Sequence, residues 1–331
     1  MNCIETMRPP RTRLPYIKWT SVLRSLLFVT LATGAIAQSL SPIRVDVRLV
    51  TASFSVRNSR GALIPDLTKE DLEIVDDGVP QSISFFSRSL DVPLSLALVV
   101  DASSSQQHMM KKHEHDLKRF LKDVLAPRDQ AFLLCFGNHL RLAQDFSNSP
   151  DDLMEGLKRF DHEKNRAEMA EIGPPELRFA GTAFYDALYH STEKLGREER
   201  GRRALIVFSD GEDNSSAHHM LDVIEAAQTG GVVIFGIRYT ERSHGRLTAR
   251  NKYGTSVLTR LARETGGADF DAEKDDLKDA FRLIGEQLRS SYEVAFHPAG
   301  VANDGSFHKL VIRIRRPELA VRAKTGYYSR P

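Results

Sequence analysis

The sequence predicts an α/β protein: a doubly wound, mostly parallel sheet with a flanking antiparallel β module. Three observations carry that expectation. Between Leu94 and Arg289, short apolar runs alternate with stretches whose apolar residues recur every three or four positions, the signature of strand–helix alternation. The run Leu94-Ser95-Leu96-Ala97-Leu98-Val99-Val100 has almost no polar interruption, as suits a strand covered on both faces. On either side of this region, over Ile43 to Ser89 and after Ser290, the pattern changes to a period of two.

Taken in order, the chain opens with Arg8, Arg11, Arg13, Lys18 and Arg24, then an apolar run from Ser25 to Ile36 and small residues at Ala35 and Ala37. This is the pattern of a secretory signal over 1–37, cleaved before Gln38. The apolar run is short beside the roughly 20 residues that a membrane span needs, so no transmembrane segment is expected in the mature chain. Export, to the periplasm or the outside, follows. Cys3 would leave with the signal, and Cys135 lies in the apolar run Ala131 to Phe136 as a small hydrophobe. The mature chain therefore has no internal disulfide.

Residues 38–91 read as an N-terminal β segment. Phe54 and Val56 run to the turn Asn58-Ser59-Arg60-Gly61, and Leu72, Ile74 and Val75 lead into a hairpin signal at Asp76-Asp77-Gly78, with Ile83 and Phe85 following at period two. Residues 92–290 form the α/β region. Helices are expected on the Met110–Leu125 face, after the start signal Ser149-Pro150-Asp151-Asp152, over Ala183–Leu195, over Ser216–Thr229, before Gly266-Gly267 and around Leu277, Phe281, Ile284 and Leu288. Strands are expected at Ala131–Phe136 with a partner over Leu140–Phe146, at Arg203–Ser209 and at Val232–Ile237. Asp161–Ala180, with Pro174-Pro175, reads as a loop, and Tyr239–Lys252 as a polar insertion. Residues 291–331 carry three further β stretches, too few to stand alone, and are expected to pack with 38–91.

With 331 residues, 41% hydrophobic content and a net charge of +2, nothing steers the chain toward nucleic acid. No nucleophile elbow, phosphate-binding glycine loop, His-Glu-x-x-His or dinucleotide fingerprint is present, and no enzymatic activity is expected. What does recur is oxygen at strand ends. Asp101-Ala102-Ser103-Ser104-Ser105 follows the apolar strand, Gly181-Thr182-Ala183 opens a helix, and Ser209-Asp210-Gly211-Glu212-Asp213 follows another strand. Ligands of open α/β sheets bind outside the carboxyl ends of strands, and hard oxygens suit Mg²⁺. Ser103 to Ser105 and Thr182 also have a plainer reading as helix caps. Glu212 and Asp213 read as capping or solvated acids, and His108, His113, His115, His218 and His219 as surface residues.

The set Asp101, Ser103, Ser105, then Thr182, then Asp210 before Gly211, resembles the von Willebrand factor A-type domain with its metal-ion-dependent adhesion site. The flanks, Asp66 to Leu72, Asp77-Gly78 and Gly326-Tyr327-Tyr328, look like those of the exported A-type proteins of acidobacteria. The resemblance implies a Rossmann-like fold over about Val92 to Ser290 and an ion, Mg²⁺ with Mn²⁺ or Ca²⁺ as alternatives. The hydroxyls of Ser103, Ser105 and Thr182 would touch it, and Asp101 and Asp210 would hold its water. It also implies a binding or adhesion protein with a protein partner that supplies a carboxylate. An envelope assembly role, in which the ion only stabilises the loops, is the alternative, and a metal-dependent hydrolase is a more remote one. Ser104 and Gln106 depart from the family, which often has Gly and Met there, and weaker metal affinity is the consequence expected of that change.

Overall fold

The computed structural model describes residues 49–162, 166–173, 181–198, 201–240, 242–243, 246–299 and 304–329. The signal expected over 1–37 and the Pro174-Pro175 pair lie outside these residues. In chain order the elements are β1 Val50–Arg57, β2 Leu72–Asp76, β3 Val79–Gln81, β4 Ile83–Leu90, β5 Leu94–Asp101, α1 Met110–Val124, β6 Gln130–Phe136, β7 Leu140–Ser147 and α2 Pro150–Asp161. Then come α3 Phe184–Gly196, β8 Arg202–Ser209, α4 Met220–Gly230, β9 Val232–Arg238, the short β10 Arg242–Ser243 and β11 Arg246–Leu247, and α5 Ala249–Thr265. The chain ends with β12 Asp269–Asp271, α6 Leu277–Arg289, β13 Ser290–Phe296, β14 Phe307–Ile314, β15 Ala320–Ala323 and β16 Gly326–Tyr328.

The six-stranded sheet runs β12-β9-β8-β5-β6-β7, parallel except for the antiparallel edge β7. All eight residues of β5 are buried, because both of its faces are covered. Leu96, Leu98 and Val100 point into one layer with Leu117 and Phe120 of α1, Leu153 of α2 and Phe281 of α6. Ala97 and Val99 point into the other layer, against Leu188 of α3, Val223 of α4 and Leu261 of α5. The period of two thus feeds two cores at once, which is why the strand reads as continuously apolar.

The flanking module joins both ends of the chain. Two four-stranded sheets, β15-β1-β13-β4 and β16-β14-β2-β3, share one apolar core in which Phe54 and Ile74 meet Val294, Phe296, Leu310 and Tyr327. Each sheet takes two strands from the N-terminal segment and two from the C-terminal segment. This sandwich meets the α/β region at the amino-terminal edge of the parallel strands: Lys324 Nζ reaches Gln228 O at 3.4 Å and Thr325 N donates to Glu264 O at 3.1 Å. The carboxyl edge of the sheet is left to the loops.

Several local expectations are corrected. The partner of β2 across Asp77-Gly78 is the short β3, whereas the Ile83–Phe85 stretch belongs to β4, which pairs with β13 in the other sheet. Asp77 (φ 46°) and Gly78 (φ 85°) make a tight turn that selects the nearest residues. Helix α4 starts at Met220 rather than Ser216, because Ala217 N and His218 N donate to Asp186 on α3 instead of entering a helix. Helix α5 begins at Ala249, inside the expected insertion, with Thr248 capping Asn251 N. Strand β12 went unread because three residues carry too little periodicity. The last expected β stretch is two strands, β15 and β16, in different sheets. Among the described residues no helix is long and apolar enough to cross a membrane.

Candidate metal centre

β5 ends on Asp101, which is fully buried. Its Oδ1 accepts from Ser103 N at 2.9 Å and its Oδ2 from the Ser209 hydroxyl at 2.6 Å. The chain then turns, Gln106 N donating to Ser103 O at 2.9 Å, and the Ser103 and Ser105 Oγ atoms come to 3.1 Å from each other. β8 ends beside β5, and the next residue, Asp210, is 2% exposed. Its Oδ1 accepts from Glu212 N at 3.0 Å, its Oδ2 from Gln106 Nε2 at 2.8 Å, and Ser105 is a further hydrogen-bond partner.

Thr182 is held beside this set through its backbone bonds to Asn214. Its N–H donates to Asn214 Oδ1 at 2.6 Å, its carbonyl accepts from Asn214 N at 3.1 Å, and the next residue, Ala183, donates to Gly137 O at 2.8 Å. Gly137 lies against the Ala102–Ser103 backbone. All five sequence-predicted residues therefore sit at the carboxyl edge of the sheet, Asp101 as the last residue of β5 and the other four on loops. Asp101, Ser103, Ser105 and Asp210 form one hydrogen-bonded set, and Thr182 flanks it.

The electrostatics are unfavourable as they stand. Burial, and after it the Asp210 carboxylate, push Asp101 up to about 7, against the hydrogen bonds from Ser103 and Ser209. Burial also raises Asp210, opposed by Glu212 N, Gln106 and Arg250. Two neighbouring buried carboxylates are relieved by protonation of one, the direction in which Asp101 is pushed, or by a cation. The donor set fits a small hard one. Ligands at right angles around an ion with bonds of about 2.1 Å lie about 3.0 Å apart, close to the Ser103–Ser105 spacing. Gln106 Oε1 is buried with no hydrogen-bond partner, an acceptor suited to an ion's water. Ser104 is exposed, and left-handed φ among described non-glycine residues is confined to Asp77 and Asp91, so a serine at this position brings no left-handed strain.

Several supporting roles escaped the sequence reading. Ser209, Gln106 and Asn214 each hold one of the site's groups, yet their partners are about 30 to 108 residues away, beyond any spacing rule. Gly254 on α5 is another: a Cβ there would lie 2.2 Å from Asp210 O, so only glycine lets the helix approach the loop. Asp213 does cap a helix, α3, accepting from Phe184 N at 2.9 Å and Tyr185 N at 3.3 Å. Glu212 is buried and pairs with Arg250 and Asn251. His113, expected at the surface, is fully buried with its ring 4.3 Å from Tyr239, and burial pushes its pKa down to about 3. It shares the buried face of α1 with Leu117 and Phe120, so helical spacing outweighed its polarity.

No protein-family model matches the chain, and no curated protein matches it. Solved structures of similar fold include BatB from Bacteroides thetaiotaomicron, at 15% identity and TM-score 0.42, covering 59% of this chain and 98% of that one. They also include the vWF domain of the type V pili tip protein Mfa5 from Porphyromonas gingivalis, at 11% identity and TM-score 0.44, covering 60% and 97%. The VWA domain of SpRpn10 is similar at 11% identity and TM-score 0.38, covering 58% and 94%. None of these likenesses bears on the chemistry of the site.

Proposed function

We propose that the chain is an exported binding protein of the A-type kind, which engages an acidic group of a protein partner through a divalent cation, Mg²⁺ first. The ion would be held by Ser103, Ser105 and Thr182, with Asp101 and Asp210 behind them. One observation carries the reading: two buried carboxylates stand together at the carboxyl edge of the sheet, beside two hydroxyls at coordination spacing. Neutral hydroxyls satisfy coordination without cancelling the ion's charge, so the ion keeps its attraction for an incoming carboxylate. The sandwich sits at the opposite edge of the sheet and leaves the approach open. Binding without turnover is part of the proposal, and export rests on the basic and apolar leader before Gln38.

Calorimetric titration of Mg²⁺ into the wild type, Asp101→Ala and Ser105→Ala tests it. The expected result is a loss of affinity of tenfold or more in both variants, and equal affinity in all three would refute the assignment. A bracing role for the ion is the second reading, favoured by Gln106, which already ties the first loop to Asp210. Under that reading, EDTA lowers the melting temperature while capture of a glutamate-rich peptide is unchanged.

A further inference from the structure

The sandwich holds a second group of ligating side chains. One carboxylate oxygen each of Asp76 and Asp77 and one ring nitrogen of His308 lie within 4.8 Å of one another. Asp76 ends β2 and is 3% exposed. Its Oδ2 accepts from the Tyr327 hydroxyl at 2.8 Å, while its Oδ1 is buried with no hydrogen-bond partner. Asp77 Oδ1 accepts from Lys309 N at 2.8 Å, and its Oδ2 lies 2.8 Å from His308 Nδ1. Asp77 is exposed, so the group opens to solvent.

The hydrogen bonding around His308 decides what Nδ1 offers. Ser306 N donates to Asp304 Oδ1 at 2.9 Å, and Ser306 Oγ lies 3.1 Å from His308 Nε2. In the tautomer protonated at Nε2, Ser306 Oγ accepts that proton. That is the arrangement in which a second polar group fixes the tautomer of a metal-ligating histidine and frees the other nitrogen. Nδ1 and Asp77 Oδ2 then face each other as two acceptors, which needs either an added proton or a cation between them. A cation bound by Asp76 Oδ1 as well would satisfy that orphan oxygen, which a proton shared by His308 and Asp77 leaves unpaired.

We propose that Asp76, Asp77 and His308 form a binding site for a divalent transition-metal ion of the Zn²⁺ class, to which one imidazole and two carboxylates are suited. Tetrahedral ligands at bonds of about 2.0–2.1 Å stand about 3.3 Å apart, so Asp77 Oδ2 and Nδ1 separate by about half an ångström on binding, which the exposed Asp77 turn permits. The ion would join β2 from one end of the chain to β14 from the other, stapling the sandwich. It is independent of the oxygen set at Asp101.

Zn²⁺ titrated into the full chain, in excess Mg²⁺, is the test, with Co²⁺ absorption as a spectroscopic readout of the ligand set. One Zn²⁺ per chain is expected in the wild type and in Asp101→Ala, with affinity falling tenfold or more in Asp76→Asn and in His308→Gln, both near in shape to the residue replaced. Circular dichroism checks that each variant is folded. A folded wild type that binds no Zn²⁺, an Asp76→Asn variant that binds as the wild type does, or loss of the ion in Asp101→Ala would overturn the proposal.

Discussion

Asp101 and Asp76 each end an inner strand and are each buried, but in regions built on different principles. β5 is apolar along its whole length because helices cover both faces, whereas β14 alternates exposed and buried residues because only one face of its sheet is covered. At the end of β5 the loop itself turns back, and Ser103 and Ser209 give Asp101 a donor on each oxygen. At the end of β2 the tight turn sends the chain straight back, and among the described residues the one donor to Asp76 is Tyr327, 251 residues away. Asp101 thus draws one donor from its own loop, Ser103, and one from the end of the neighbouring β8, Ser209. Asp76, at a hairpin, draws nothing from its own turn and keeps one oxygen without a donor.

That contrast can be broken experimentally. The largest effect is expected from Leu98→Ala in β5, where a fully buried side chain is lost, at about 3 kcal/mol in denaturant unfolding. Phe85→Ala on β4, where the ring is 49% exposed, should fall within about 0.5 kcal/mol; equal losses would erase the distinction between the regions. Tyr327→Phe removes the single donor of Asp76 and should destabilise by about 1–3 kcal/mol in metal-free protein. A neutral outcome would mean that Asp76 is satisfied in another way.

A further effect concerns the seam between the regions. Burial pushes Lys324 down to about 8 from 10.5. The unfolded chain therefore holds more protons between these values, and stability should rise as pH climbs from about 8 to 10.5. At pH 7 the charged amine opposes folding, so Lys324→Met should stabilise by about 1–2 kcal/mol and flatten that rise. A rise that persists in the variant would point to another group.

What the sequence determined by itself lies where the signal is local or periodic. Leu94 to Val100 announced a doubly covered strand, Ser149 capped α2 as its position implied, and the period-two segments at both ends joined one sandwich. The positions of the five oxygen-bearing residues, at strand ends or a helix start, were legible because periodicity locates such ends; their grouping as one set came from the family resemblance. Only the tertiary structure decided which strands pair, since β3 and β4 lie a residue apart in sequence yet belong to different sheets. It alone buried His113, brought Gln106 to Asp210 and set Gly254 against the Asp210 loop. It alone joined the turn at Asp76-Asp77 to His308 and Tyr327. The physical reason is that hydrogen bonds and close approaches between groups a hundred or more residues apart leave no period in the chain, whereas burial of a face does.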